Sequence, residues 1–289
     1  MGEKDMSEKI LEDYNDVFSD IVNVLLFHGQ ELIEPSALES ISVHSQYKGE
    51  DAKLHEQERD VAKKWKRYNV QLAIIGIENQ TAVEKKMPFR LIGYDGASYK
   101  SQLQANAAPI APVVTIVLYF GEKHWCKERN IKSLMNIPKE LDPYVNDYKM
   151  EVFEIAWLTD EQINMFQSDF RVVARYFSEK RKNKNYVPHD KTILRHIDAV
   201  LKLLAVMSGD HRYETILADP EQKGKVKTMD EALTRVINEG HARGLAEGQI
   251  KILVSLCRSG NISVEIAADQ LKISTDEFRK YLDSDMTDY

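Results

Sequence analysis

Apolar positions recur every three to four residues between residues 8 and 28, where Ile10, Leu11, Tyr14, Phe18, Ile21, Val22, Leu25 and Leu26 share one side of a helical projection. That spacing predicts an amphipathic helix ending near Gly29. Periodicity then fades. Residues 44–59 are charged and suit a solvated excursion or a hairpin arm. Residues 70–78 are almost continuously apolar and rich in β-branched side chains, the pattern of a strand buried on both faces. Helical spacing returns over 88–105 through Phe89, Leu91, Ile92, Tyr94, Ala97, Tyr99 and Leu103, with Pro88 suited to a first helical turn. Residues 112–119 read as a second buried strand stopped at Gly121, and 149–156 as a further strand. Strand, helix and strand make a βαβ-like unit, so the fold class is α/β.

From Thr159 the pattern is helical almost to the end. Helices are expected over 160–179, 188–208 and 229–258, with a polar loop over 214–228 and two short helices between 262 and 282. The chain therefore divides near 158–185, into an α/β domain over 1–180 and a helical region over 181–289. In the long helix Gly240, Gly244 and Gly248 recur every fourth residue, drifting by about 40° per step. Such a stripe lets a second helix approach closely, so the C-terminal helices are expected to form a homo-oligomer or dock a partner. The last two helices resemble a helix-turn-helix, yet the second opens with Asp276 and Glu277 and runs into Asp283, Asp285 and Asp288. That is poor chemistry for a major groove, and packing or oligomerisation is the favoured reading.

Composition narrows the field. With 289 residues, 43% hydrophobic and 29% charged, the chain can bury a real core. A net charge of −7 argues against a surface that coats nucleic acid as a whole. The stretch 59–100 runs the other way, with nine Lys and Arg against four Asp and Glu, so a local basic groove stays open. Cys126 and Cys257 stand outside any CxxC spacing, which excludes a disulfide scaffold and a structural zinc site and fits a reducing, cytoplasmic setting. The charged N-terminus has no apolar core of a secretory signal, and the apolar run 109–120 is too short to span a bilayer, so no membrane association is expected. No HExxH, GxxxxGK[ST] or GxSxG motif occurs.

The informative chemistry lies at the end of the first buried strand, where apolar residues run directly into Glu78-Asn79-Gln80. A carboxylate there loses solvation and needs a cation, a donor or a proton. If Asp60 opens an antiparallel partner of residues 70–77, Asp60 and Glu78 lie side by side and form an oxygen-rich site suited to Mg²⁺. The Asn79 carbonyl would add a backbone ligand, and Gln80, on the face of Glu78, would orient a water or a phosphate oxygen.

Asp60, Glu78-Asn79-Gln80, Met87-Pro88-Phe89-Arg90 and the apolar run 112–121 with Trp125 form an ordered series. It resembles the recombination-promoting nuclease (Rpn) family, also described as PD-(D/E)XK family transposases, over roughly residues 10–180 and into the helical tail. The resemblance implies a restriction-endonuclease-like core, a small mixed sheet flanked by helices, and Mg²⁺-dependent cleavage of DNA linked to recombination or mobile elements. Asp60 and Glu78 match the two motif acids. Gln80 stands where the wider superfamily has Lys, although Gln is usual in this family, and it can hold a water without acting as a base or a cation. The superfamily often adds an acid from the first helix. Asp16 and Asp20 share a helical face, and Asp20 is the choice as a further metal ligand. Lys63, Lys64, Lys66, Arg67, Lys85, Lys86 and Arg90 would contact the phosphate backbone.

Each residue also has a plainer reading. Asp60 could pair with Arg59 or Lys63, Glu78 with Arg90, and the basic residues 63–67 could form a solvated face. Tyr94 could line the groove or pack in the core, and Trp125 and Trp157 belong to the core. The competing function is a catalytically inactive nuclease-fold protein that binds DNA or a protein partner, favoured by the acidic pI and the missing Lys.

Overall fold

The structure is a computed structural model and describes residues 10–41, 44–48, 54–68, 70–107, 109–209, 212–213, 216 and 226–283. Among the described residues there are seven strands, β1 (Leu38–Ser40), β2 (His44–Lys48), β3 (Leu54–Glu58), β4 (Val61–Arg67), β5 (Val70–Gln80), β6 (Val113–Tyr119) and β7 (Glu151–Glu154). Five of them make a mixed sheet in the order β1-β4-β5-β6-β7, and β2 and β3 form a separate hairpin, the second of the two forms that residues 44–59 suited. β4 runs antiparallel to β5, whereas β6 and β7 run parallel to it. The crossover from β5 to β6 is α2 (Met87–Gln104), whose Pro88 sits in the first turn as anticipated.

β5 is the central strand, and its middle is buried from Ala73 to Glu78. Period two then assigns its faces. Glu78 pairs with Val117 and Gly76 with Thr115, and this face looks toward α2, where Met87, Leu91 and Tyr94 pack with Val117, Tyr119, Trp125, Met150 and Val152. Ile75, Ile77 and Asn79 look to the other face.

The first helix departs from its expected form. A short 3₁₀ turn at Leu11–Asp13 is followed by an extended Tyr14 (φ −76°, ψ 128°), and α1 begins only at Asn15, running to Leu25. The Asp13 carbonyl, needed for a continuous helix, instead accepts a hydrogen bond from the Lys63 ammonium at 2.9 Å. The helix expected over 160–179 is likewise broken into α3 (Asp160–Met165) and α4 (Phe170–Lys182). Between them the backbone amides of Gln167 and Ser168 donate to Asp20 Oδ2. Of residues 188–208, only α5 (Ile197–Ser208) is helical.

The chain divides between Asp230 and Glu231 into two compact units, later than the expected boundary at 180/181. The reason is burial: Phe170, Val173 and Phe177 of α4 and Val200, Leu201 and Leu204 of α5 are core residues of the first unit. The long helix expected over 229–258 is α6 (Met229–Arg258), followed by α7 (Val264–Leu271) and α8 (Thr275–Asp283). In the second unit Val254, Ala267, Ala268 and Phe278 form a small core. Most of the polar stretch 214–228 lies outside the described residues. No described helix is long and apolar enough to cross a membrane.

Candidate active site

The register of β4 against β5 starts with Val61 opposite Ile77, so Asp60 sits at the bend just before β4, at the level of Glu78 and Asn79. The Asn79 amide donates to Asp60 Oδ2 at 2.6 Å. The antiparallel pairing expected from the sequence therefore brings Asp60 to the end of β5. Asp60 is solvent-exposed, whereas Glu78 is 3% exposed. Glu78 Oε1 accepts from Arg90 at 2.5 Å and from the Gln80 side chain at 3.2 Å, while its buried Oε2 has no hydrogen-bond partner among the described residues. Burial, and then the neighbouring Asp60 charge, push the Glu78 carboxyl up to about 7; Arg90, Gln80 and Arg59 offset this only in part.

A third acid was not legible in the sequence. Glu12, in the 3₁₀ turn before α1, is fully buried, and neither carboxylate oxygen has a well-formed hydrogen bond. Burial pushes it up to about 7, its own amide and the Asn79 side chain pull it back in part, and Asp60 adds to the rise. Asp60 thus feels both glutamates: Glu78 from the α2 face and Glu12 near Asn79. A continuous helix places Glu12 off the apolar stripe of Ile10, Leu11 and Tyr14. The break at Tyr14 is what turns it inward.

Asp20 is engaged elsewhere, receiving the Gln167 and Ser168 amides at 2.9 and 2.7 Å. Asp16 accepts from His196 Nε2 at 3.1 Å to both oxygens. The structure brings neither to the Asp60–Glu78 pair; the N-terminal acid whose carboxyl the Asp60 charge reaches is Glu12.

The cations also separate. Lys63 is completely buried, so its expected contact with DNA phosphates is corrected. Its ammonium donates to the Asp13 carbonyl and carboxylate and to Ser40 Oγ at 2.8–3.1 Å, and ties β4 to the N-terminal segment. A charge satisfied in this way by three oxygens has no reach into solvent. Lys64 is half-buried, Lys66 pairs with Glu39, Arg67 is exposed, and Lys85 and Lys86 are exposed just before α2. Arg90, partly exposed, contacts both Glu78 and the Tyr94 hydroxyl. Tyr94 itself is a core residue, as is Trp125; Trp157 is half-buried between the His124 ring and the Arg181 guanidinium.

Arg59, next to Asp60, is a second position the sequence did not single out. It is buried against Gly76, where a Cβ would stand 2.7 Å from its Nη1. Its Nη2 donates to Ser98 at 2.8 Å and lies 3.7 Å from Asp95. Asp95 in turn accepts from Thr115 and from the Tyr148 hydroxyl. This network fixes the residue preceding Asp60 against α2 and β6.

A family model described as "Putative transposase, YhgA-like" matches residues 51–201, more than half of the chain. The chain belongs to the YhgA-like transposase family. This is the Rpn/PD-(D/E)XK family anticipated from the ordered series of residues. No curated protein and no solved structure matches the chain. Membership in the YhgA-like family implies an enzyme with a role in mobile-element or recombination chemistry. The matched span contains Asp60, Glu78, Gln80 and Arg90 and begins after Glu12.

Among the described residues no three His, Cys, Asp or Glu side chains are grouped closely enough to cage a metal by themselves. Mg²⁺ does not require such a cage, since one or two carboxylates, waters and substrate phosphates complete its shell. The donor set fits that requirement: two adjacent carboxylates, one with a buried oxygen that lacks a partner, and a mutual repulsion that a divalent cation would relieve.

Proposed function

We propose that this protein is a Mg²⁺-dependent DNA endonuclease with a restriction-endonuclease-like core, acting in recombination or mobile-element processes. The observation that carries this reading is the pairing of Asp60 with the Glu78–Asn79 end of a buried strand, beside a buried Glu78 Oε2 that has no hydrogen-bond partner among the described residues. Asp60 and Glu78 would hold Mg²⁺, with the Asn79 carbonyl as a further candidate ligand. Bound Mg²⁺ would activate a water and offset charge on the phosphodiester as it is attacked. Gln80, already on the face of Glu78, would orient that water. Arg90 would hold Glu78 in place and, with Lys85 and Lys86 at the start of α2, meet the DNA backbone. Glu12, whose buried carboxyl is pushed up to about 7 in part by the Asp60 charge, lies within electrostatic reach of the pair.

Two features favour a second reading, a nuclease-fold protein that binds DNA or a protein without cutting. Arg90 occupies Glu78 Oε1, and Gln80 replaces a cationic residue. Incubating supercoiled plasmid with the purified chain, in Mg²⁺ and in EDTA, separates the two. The nuclease reading expects nicking in Mg²⁺ alone, abolished by Asp60→Ala and by Glu78→Ala with the fold intact. Cleavage retained in either variant refutes the assignment, and DNA binding without cleavage in the parent chain supports the second reading.

A further inference from the structure

Helix α2 buries Met87, Leu91 and Tyr94 against the sheet, yet one stripe of its exposed side, beside Lys100 and Gln104, is apolar. Phe89, Ile92, Tyr99 and Leu103 remain 40, 39, 38 and 64% exposed. Together with Gly96 they fall in one stripe about 80° wide, at the alternating three- and four-residue spacing of a coiled-coil seam. Among the described residues nothing lies within 4 Å of the position a Cβ would take at Gly96. Glycine is a poor helix former, and none of the described neighbours uses the space it leaves.

The stripe is nearly symmetric about Gly96. Phe89 and Leu103 lie seven residues to either side, Ile92 four before and Tyr99 three after. An antiparallel pair of such helices, with its twofold axis at Gly96, sets Phe89 against Leu103 of the second copy and Ile92 against Tyr99 of the second copy. The two glycines then meet at the crossing point, where the backbones can approach closely. The charges allow it. Asp95 is buried, and the two copies of Lys100 would be about 12 Å apart along the axis, beyond the screening length of about 8 Å at physiological salt. The four apolar side chains leave roughly 350 Å² in water per copy. With flanking backbone, a pair hides on the order of 1,000 Å², the lower bound of a specific interface.

We propose that the outer face of α2 is a homodimer interface, occupied by α2 of a second copy in antiparallel register with Gly96 at the crossing. The pairing places one Glu78–Arg90 site toward each end of the helix pair, with the two Arg90 positions about 18 Å apart along its axis. The interface does not depend on the metal chemistry of that site.

Sedimentation equilibrium of the full chain from about 1 to 100 μM tests it. The parent chain is expected to associate with concentration, and Leu103→Glu and Gly96→Leu, both at exposed positions, to weaken that step at least about tenfold while tryptophan emission stays native. Disulfide trapping reads the register. In a Cys126→Ser, Cys257→Ser background, mixing Phe89→Cys with Leu103→Cys is expected to give a cross-linked heterodimer, and neither variant alone to give a linked dimer. A parent chain that stays monomeric overturns the proposal, as does self-association unchanged in both variants or cross-linking of each variant with itself. Loss of nicking in Asp60→Ala leaves all these outcomes untouched, so failure of the interface and failure of the nuclease reading are distinguishable.

Discussion

Replacing Glu12 by Gln removes a charge while keeping the side chain's shape. Glu12 is fully buried, and burial holds its carboxyl near 7 instead of 4.5. An acid whose pKa is raised by folding contributes most at low pH, and that contribution is lost as pH rises from the unfolded value through the folded one, because the native state must then hold an unpaired buried charge. A shift of about 2.5 units at 1.36 kcal/mol per unit puts the cost of ionised Glu12 at up to about 3 kcal/mol at pH 8, against about 1 kcal/mol at pH 5. Glu12→Gln is therefore expected to raise stability by about 2 kcal/mol more at pH 8 than at pH 5. Urea titrations at both pH values, followed by tryptophan fluorescence, check this in the first unit, where Trp65, Trp125 and Trp157 all lie. An equal change at both pH values, or destabilisation at pH 8, would refute the burial argument.

Lys63→Met, which removes a buried ammonium from three oxygens, is expected to destabilise the fold by about 3 kcal/mol in urea and to leave the salt dependence of DNA binding unchanged. Lys85→Ala and Lys86→Ala should each reduce the salt slope by about one while leaving the urea midpoint alone. Gly76→Ala puts a Cβ 2.7 Å from Arg59 Nη1 and 3.1 Å from Thr115 Oγ1, an overpacking worth about 1–3 kcal/mol, and should lower Mg²⁺-dependent nicking by displacing the residue before Asp60. At Gly244 none of the described residues comes within 4 Å of an added Cβ, and Gly244→Leu improves helix propensity, so a gain of up to about 1 kcal/mol is expected. If the C-terminal helices self-associate, the same variant lowers the solution mass, and an unchanged mass would count against that association.

Much of the frame was legible because it rests on local periodicity. The apolar runs ending at Glu78 and at Tyr119 could only be buried strands, and a helix between them with proline in its first turn required a parallel crossover. That placed Glu78 at the end of a buried strand and, once Asp60 was taken to open an antiparallel neighbour, put the two acids side by side. Charge on a long side chain was less legible. Lys63 and Lys64 are adjacent and chemically alike, but alternate residues of a strand face opposite sides, and only packing against the N-terminal segment determined that Lys63 would be sealed in.

What the sequence determined by itself is the strand–helix–strand order from β5 through α2 to β6 and the carboxylate at the end of β5, because hydrophobic period and strand polarity are properties of neighbouring residues. Glu12 in the interior, Asp20 used to hold the 167–168 amides, Arg59 lying across Gly76 and the unit boundary at Asp230 were decided by tertiary structure. Each depends on a contact between segments far apart in the chain: the Lys63 ammonium breaks a helix 50 residues upstream, and a carboxylate at position 20 breaks another 147 residues downstream. No local pattern encodes the donor that will arrive from such a distance.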